Sequence, residues 1–348
     1  MSTPSELGFA IVGTGSIARM HAAAIAATPG TRLRSVYSRG AGPAAAFAQE
    51  FGAEAAASID ALVQRPDVQV VCVTVPSGAH GDVAAKALAA GKHVLCEKPL
   101  EITTARIDAM IAAATSANRL LAAVFQMRLG VGANRLKQAV AAGRFGRLTL
   151  CSAYVKWWRA PEYYTSSSWK GTAEMDGGGA LMNQGIHAVD LLQWLVGLPV
   201  RVSAQVRTRT HPIKMEDTVA AVLEYADGAV GVIEAATSCY PGTAMRIEIS
   251  GDRGFAALEN DRLTQWSFAV AQPEDENIRQ GTDSALVGGS SDPKAIGIEG
   301  HRRLVHDLAD AVRNGRQPAI SSREARNAVA LIEAIYRSAR TGVITDVR

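Results

Sequence analysis

Short apolar runs alternate with Ala-rich amphipathic stretches through the first third of the chain. The runs at 7–12, 32–37, 68–75, 93–96 and 120–125 are rich in Val, Leu and Ile, and their length and flanking turn residues predict buried strands. Between them, apolar positions recur at helical spacing over 17–27, 43–51, 82–90 and 103–116, with Thr103 as an N-cap and Gly91 as a stop. Strands alternating with helices predict a parallel sheet covered on both faces.

From about residue 125 the pattern changes. A helix at 133–142 precedes a strand at 148–155 and a polar, aromatic loop at 157–179, and a helix is expected over 180–196. Alternating runs follow at 202–208, 218–225, 229–235, 245–250, 255–258 and 263–268, broken by Asp227-Gly228, the 251–254 turn and Asn260-Asp261. An Asp-Gly pair between alternating runs signals a tight hairpin. The expectation is an α/β Rossmann domain over 1–123, then an α+β domain over 124–348 with a mostly antiparallel open sheet. Residues 271–297, rich in Gly, Ser, Asp and Glu, read as a mobile loop. Helices over 301–314 and 322–341 close the chain.

The 348 residues suffice for two cores. A net charge of +3, with no dense Lys/Arg cluster, gives no reason to expect nucleic acid or a membrane surface as partner. Residues 1–6 are polar without a basic residue, the apolar run 7–13 is too short for a signal core, and no stretch reaches ~18 apolar residues, so a soluble cytoplasmic protein is expected. Cys72, Cys96, Cys151 and Cys239 are widely spaced and form no zinc-type pattern, which fits free thiols in a reducing compartment.

Gly13-Thr14-Gly15-Ser16-Ile17-Ala18 is a GxGxxA element between the first strand and the first helix. Gly13 permits the tight turn, Gly15 lets backbone approach a pyrophosphate, and Ala18 allows close helix–strand packing; Ser16 and Ile17 open a helix whose N-terminus favours anions. Where an NAD-binding fold usually carries a ribose-binding acid, this chain has Ser38-Arg39. A hydroxyl and a guanidinium suit a 2′-phosphate and hence NADP, whereas a solvated Arg39 leaves NAD, or both, open.

Glu97-Lys98-Pro99 ends the 93–96 strand, at the sheet edge where such folds bind ligands. A lysine there can hydrogen-bond a reacting oxygen and offset alkoxide charge, although a surface Glu–Lys pair is the bland alternative. Further on, Asn183 and His187 are four apart, one helical turn from each other, with Asp190 one turn beyond. Gly177-Gly178-Gly179 reads as a flexible entry where backbone approaches a ligand. His187 alone reads more readily as a structural histidine; together with Lys98 it points to catalysis. No metal is expected, because His187 has no companion ligand at suitable spacing.

These residues, with Val75-Pro76-Ser77 and His80, resemble the glucose–fructose oxidoreductase, inositol dehydrogenase and MocA-like (Gfo/Idh/MocA) family along nearly the whole chain. The resemblance implies an NAD(P)-dependent oxidoreductase acting on a sugar-like CH–OH group. It implies Lys98 and His187 beside the nicotinamide, with His187 as acid/base and Asn183 where the family commonly has aspartate; Asn183 is then expected to bind a substrate hydroxyl. Val75, Pro76, His80, Glu97, Lys98 and Gln126 are expected at the cofactor. Two rivals remain, a glycoside-cleaving enzyme using tightly bound NAD for transient oxidation and a non-catalytic dinucleotide sensor. Trp157, Trp158, Arg159, Tyr163, Tyr164, Trp169 and Lys170 crowd one loop and suit a polyhydroxylated ring, with an interface or a core patch under the loop as the alternative. Arg128, Arg159 and Lys170 together would suit an anionic group such as a uronate or a nucleotide-sugar phosphate. The open sheet is expected to build a homodimer or homotetramer.

Overall fold

The computed structural model describes residues 6–280 and 297–348. The chain forms two compact units: Met1–Gln126 with Ile298–Arg326, and Met127–Gly297 with Asn327–Arg348. The first unit holds six strands, β1 (Leu7–Val12), β2 (Thr31–Tyr37), β3 (Glu54–Ala55), β4 (Val70–Val73), β5 (His93–Cys96) and β6 (Leu121–Ala123). All pair in parallel, in the order β3-β2-β1-β4-β5-β6. Every residue of β1 is buried, as expected of a strand covered on both faces, which is why it reads as a continuous apolar run. Thr103 caps the helix Thr104–Ala117 by accepting from the Arg106 N–H.

The helix Glu299–Asn314 packs on the helix Ser16–Ala26 and so belongs to the first unit, although the sequence reading assigned residues 298–326 to the second domain. Its stripe of Leu304, Val305, Leu308 and Ala311 is buried. Such a stripe announces that one face must be covered but not by what.

The second unit is built on eight strands, β7 (Leu148–Lys156), β8 (Arg201–Arg207), β9 (Thr218–Glu224), β10 (Val230–Ala236), β11 (Arg246–Gly251), β12 (Gly254–Glu259), β13 (Arg262–Phe268) and β14 (Thr345–Asp346). Their order is β13-β12-β11-β7-β10-β9-β8-β14, and only β7 and β10 run parallel. In β9, Val219, Ala221 and Leu223 face the core while Ala220 and Val222 are exposed, the two-residue alternation of a half-covered sheet. The expected helix over 180–196 is two elements, a π-helix Ala180–Gly185 and an α-helix Ile186–Val196. A short helix Pro161–Thr165 interrupts the aromatic loop, and another, Asp275–Gln280, stands where a loop was expected; residues 281–296 of that loop lie outside the described residues. Among the described residues no helix is long and apolar enough to cross a membrane.

Candidate functional site

In the first unit the turns after β1, β2, β4, β5 and β6 all open at the carboxyl edge of one parallel sheet, which brings Gly13, Ser38, Val75, Lys98 and Gln126 to the same side. Strand order reverses between β1 and β4, and open α/β sheets bind ligands at such a point. Backbone bonds continue past the strands into the turns: Gly13 N–H to Tyr37 O (2.8 Å), Thr74 N–H to Val12 O (3.0 Å) and Glu97 N–H to Val73 O (3.1 Å). Gly13 has φ +113°, and a Cβ there would lie 2.6 Å from the Thr74 carbonyl, so no other residue fits. At Gly15 the reverse holds, because a Cβ would meet nothing within 4 Å. That open space lies at the start of the helix Ser16–Ala26, which has no side-chain cap. Its leading N–H groups therefore suit a pyrophosphate, and the residues present fit a dinucleotide. Ser16 is exposed, Ile17 half-buried and Ala18 buried, while Ser38 is half-buried and Arg39 exposed just past β2. Gln126 Oε1 is buried with no hydrogen-bond partner, an acceptor left for a ligand donor.

Two residues expected at the cofactor are turned inward. His80 is buried with Nδ1 2.8 Å from Pro99 O and Nε2 2.9 Å from Val75 O, so it ties the turn after β4 to the turn after β5. Burial lowers its basicity against the pull of the two carbonyls. Glu97 points at two histidines: Oε1 is 2.8 Å from His21 Nε2 and 3.4 Å from His301 Nε2. Burial alone would raise its carboxyl, but the hydrogen bonds from both imidazoles hold it well below the usual range. Lys98 itself is half-buried, and the Lys98–Pro99 peptide is cis.

In the second unit Glu216 organises the approach to the π-helix. Its buried carboxylate accepts from Gly179 N–H (3.1 Å), Leu181 N–H (2.9 Å) and Tyr336 Oη (2.8 Å). Burial raises its pKa and these donors oppose the rise. A Cβ at Gly179 would sit 1.9 Å from Glu216 O, and one at Gly178 would sit 2.2 Å from Tyr336 Oη. Gly178 and Gly179 are thus required by packing in the protein's own interior, and Gly177 by its positive φ of 74°, where a flexible ligand entry was expected.

Asn183 donates to Asp176 and accepts from Gln184 and from Tyr163 Oη (3.3 Å). Its side chain is thereby engaged at both ends and buried, where a substrate contact was expected. Gln184 also bonds Tyr163 Oη (2.7 Å) and accepts from Arg159 Nε (2.8 Å). Arg159 lies over Trp157 and Tyr163, and Lys170 Nζ lies 3.8 Å from the centre of the Tyr163 ring. The structure thus joins Trp157, Arg159, Tyr163, Lys170 and Asn183 in one network. Trp169 and His187 are half-buried, His187 in the first turn of the helix Ile186–Val196. Arg128 corrects the sequence reading: its guanidinium forms a buried two-pronged pair with Asp190 (2.8 and 2.7 Å), so it is committed to the fold and not to an anionic substrate. Sequence reasoning missed Asp176, Glu216 and Tyr336, and also His21 and His301. Only His21, one turn after Ala18 on a helix already assigned to the dinucleotide turn, carried a signal.

Two family models match the chain: the oxidoreductase family with an NAD-binding Rossmann fold over residues 7–125, and the GFO/IDH/MocA C-terminal domain over 133–257. The chain is 26% identical to levoglucosan dehydrogenase of Pseudarthrobacter phenanthrenivorans, over 98% of both chains. It is also 26% identical to inositol 2-dehydrogenase of Rhizobium meliloti, over 95% of this chain and 96% of that one. Among solved structures, the WlbA dehydrogenase of Bordetella pertussis in complex with NADH and UDP-GlcNAcA superposes with a TM-score of 0.90 at 31% identity, covering 100% of this chain and 99% of that one.

Proposed function

The chain belongs to the GFO/IDH/MocA oxidoreductase family, and from that premise we propose that it moves a hydride between a nicotinamide and a secondary hydroxyl, or its ketone, on a sugar, sugar derivative or inositol. The observation that carries this reading is the placement of Lys98 on the same sheet edge as the open, uncapped turn at Gly15. NAD(P), when bound, supplies the hydride donor or acceptor. Residues 13–18 hold its pyrophosphate, with Val75, Pro76 and Gln126 along the same edge. Lys98 donates a hydrogen bond to the reacting oxygen and offsets its developing charge. His187 takes or returns the proton on that oxygen, a role an imidazole can fill in either direction.

Ser38 and the exposed Arg39 favour NADP, since a guanidinium can pair with a 2′-phosphate. On the substrate side, Lys170 and Arg159 around Tyr163 favour a sugar bearing an anionic group, with Trp157, Trp169 and His187 along it. The similarity to a dehydrogenase bound to UDP-GlcNAcA supports that choice. Exposed Leu150, Val222 and Val230 on neighbouring strands β7, β9 and β10 support a homodimer or homotetramer formed through the open sheet. Free cysteines, three of them buried, support a cytoplasmic setting.

The test is absorbance at the nicotinamide band with UDP-GlcNAcA, levoglucosan and inositol, each with NAD+ and NADP+. Turnover of at least one, faster with NADP+, is expected. Lys98→Ala and His187→Ala should each lower the rate by on the order of 10²–10⁴ while dinucleotide affinity stays nearly unchanged. Full activity in either variant removes that residue from the mechanism. A tightly bound dinucleotide with no exchange and no turnover of any probe would overturn net hydride transfer.

A further inference from the structure

We propose that His301, on the helix Glu299–Asn314, is a positioning residue for Lys98, acting through the Glu97 carboxylate. This rests on the reading that Lys98 contacts the reacting oxygen. His21, Glu97 and His301 are 0%, 6% and 1% exposed, and both imidazoles present Nε2 to the same carboxylate oxygen, Oε1. The two rings meet edge to face with centroids 5.0 Å apart. Neither Nδ1 has a hydrogen-bond partner, and both are buried.

That last fact assigns the protons. A neutral imidazole carries one N–H and one bare nitrogen. A buried N–H without an acceptor is costly, so the proton of each ring resides on Nε2, where the carboxylate accepts it. Oε1 then receives two N–H groups, and Oε2 receives the Lys98 backbone N–H at 3.2 Å. A buried carboxylate with three N–H donors holds its charge without a cation.

The same side chains could be mistaken for a metal site, since their ligand atoms lie within 4.8 Å of one another. Two observations favour hydrogen bonds. A metal would require both Nε2 atoms to be bare, which leaves each Nδ1–H buried with no acceptor, whereas metal-bound histidines almost always donate that proton to a partner. The 2.8 Å separation of His21 Nε2 from Oε1 is also shorter than the edge of roughly 3.3 Å that bonds of 2.0–2.1 Å impose in a tetrahedral zinc site.

The consequence falls on the turn. Glu97 holds the N–H of Lys98, and His80 holds the carbonyl of Pro99 at 2.8 Å, so the Lys98-Pro99 segment is gripped from both sides. His301 completes the grip by fixing the Glu97 carboxylate from a helix 204 residues away in sequence. Without that donor His21 is the one imidazole left on Glu97, and the carboxylate can turn away from the Lys98 amide.

The test compares His301→Leu, His301→Gln and His301→Asn in the full chain. The Gln amide nitrogen reaches the position of Nε2 and the Asn amide nitrogen that of Nδ1, so only Gln restores the bond. Competitive acetylation of Lys98, read by peptide mass spectrometry with Lys86 and Lys156 as internal controls, reports the turn without requiring turnover. His301→Leu and His301→Asn should change Lys98 labelling several-fold and lower kcat on the order of tenfold with KM and NADH affinity nearly unchanged, and His301→Gln should recover both. Lys98 labelling unchanged in His301→Leu, or equal in His301→Gln and His301→Asn, would overturn the proposal. Stoichiometric zinc or another transition metal in the purified protein would overturn it as well. If Lys98→Met retains full turnover, the assigned role of Lys98 fails instead, whatever the labelling shows.

Discussion

Asn183 illustrates how a side chain's role changes once its neighbours are known. Its residue type and its spacing to His187 read as a substrate-binding amide, yet the folded chain gives that amide to Asp176, Gln184 and Tyr163. A prediction follows from the Asp176 contact. Asn183→Asp would bring two buried carboxylates together, and like charges at that distance raise the pKa of the pair. An acid whose folded pKa lies above its unfolded value is stabilising while protonated, and that stability is lost as pH rises through the folded value. The variant should therefore melt close to the unmutated protein near pH 4 and progressively lower as pH rises to 8. A deficit that is constant across that range would show that the two side chains do not meet. Arg128 teaches the same lesson: an arginine after a strand reads as available, but its partner Asp190 lies 62 residues on.

At the scale of elements, the Gly-rich entry and the π-helix Ala180–Gly185 form one construction. Glu216 takes the N–H groups of Gly179 and Leu181 with its carboxylate, and its own carbonyl takes the N–H of Ala180. Wide turns of this kind recur at functional sites in other proteins. Gly179→Ala would drive a methyl against the Glu216 carbonyl, which is backbone and cannot step aside. Overpacking of this kind costs about 1–3 kcal/mol or more, read as a lower urea midpoint. Gly178→Ala meets mainly the Tyr336 hydroxyl and the Met182 Cβ, so Tyr336→Phe should relieve part of its penalty and none of that at Gly179. Equal behaviour of the two glycines in the Tyr336→Phe background would refute this account.

For the whole molecule, the informative segment is Ile298–Arg326, which folds with residues that precede it by most of the chain's length. Leu304, Val305 and Leu308 are buried within the first unit, and each such side chain contributes roughly 1.5–3 kcal/mol. Losing several of them removes a large part of the ~5–15 kcal/mol that holds a domain together. A fragment of residues 1–126 should therefore unfold without cooperativity and fail to bind NADH. The same fragment joined to 298–326 by a flexible linker should melt cooperatively and recover binding. Equal NADH titrations for the two fragments would show that the helix is dispensable.

Five of the six strands through residue 125 with the four longer helices between them, the GxGxxA turn at Gly13 and the Asp227-Gly228 hairpin were legible in the sequence, because each depends on residues adjacent along the chain; the two-residue β3 and the five-residue helix Ile59–Val63 are too short to show a period and were missed. Local periodicity sets whether a segment is helix or strand, and a glycine at positive φ, as at Gly13 and Gly228, is a local demand. The partners of Glu97, Arg128, Asn183 and Glu216 were decided only by tertiary structure. A buried charge or amide must be satisfied, but residue type states only that a partner is needed. Which group supplies it depends on what the topology brings alongside. The π-helix falls on the same side of that divide: its periodicity reads as ordinary helix, and the extra width appears where Glu216, on another segment, takes the backbone groups at its start.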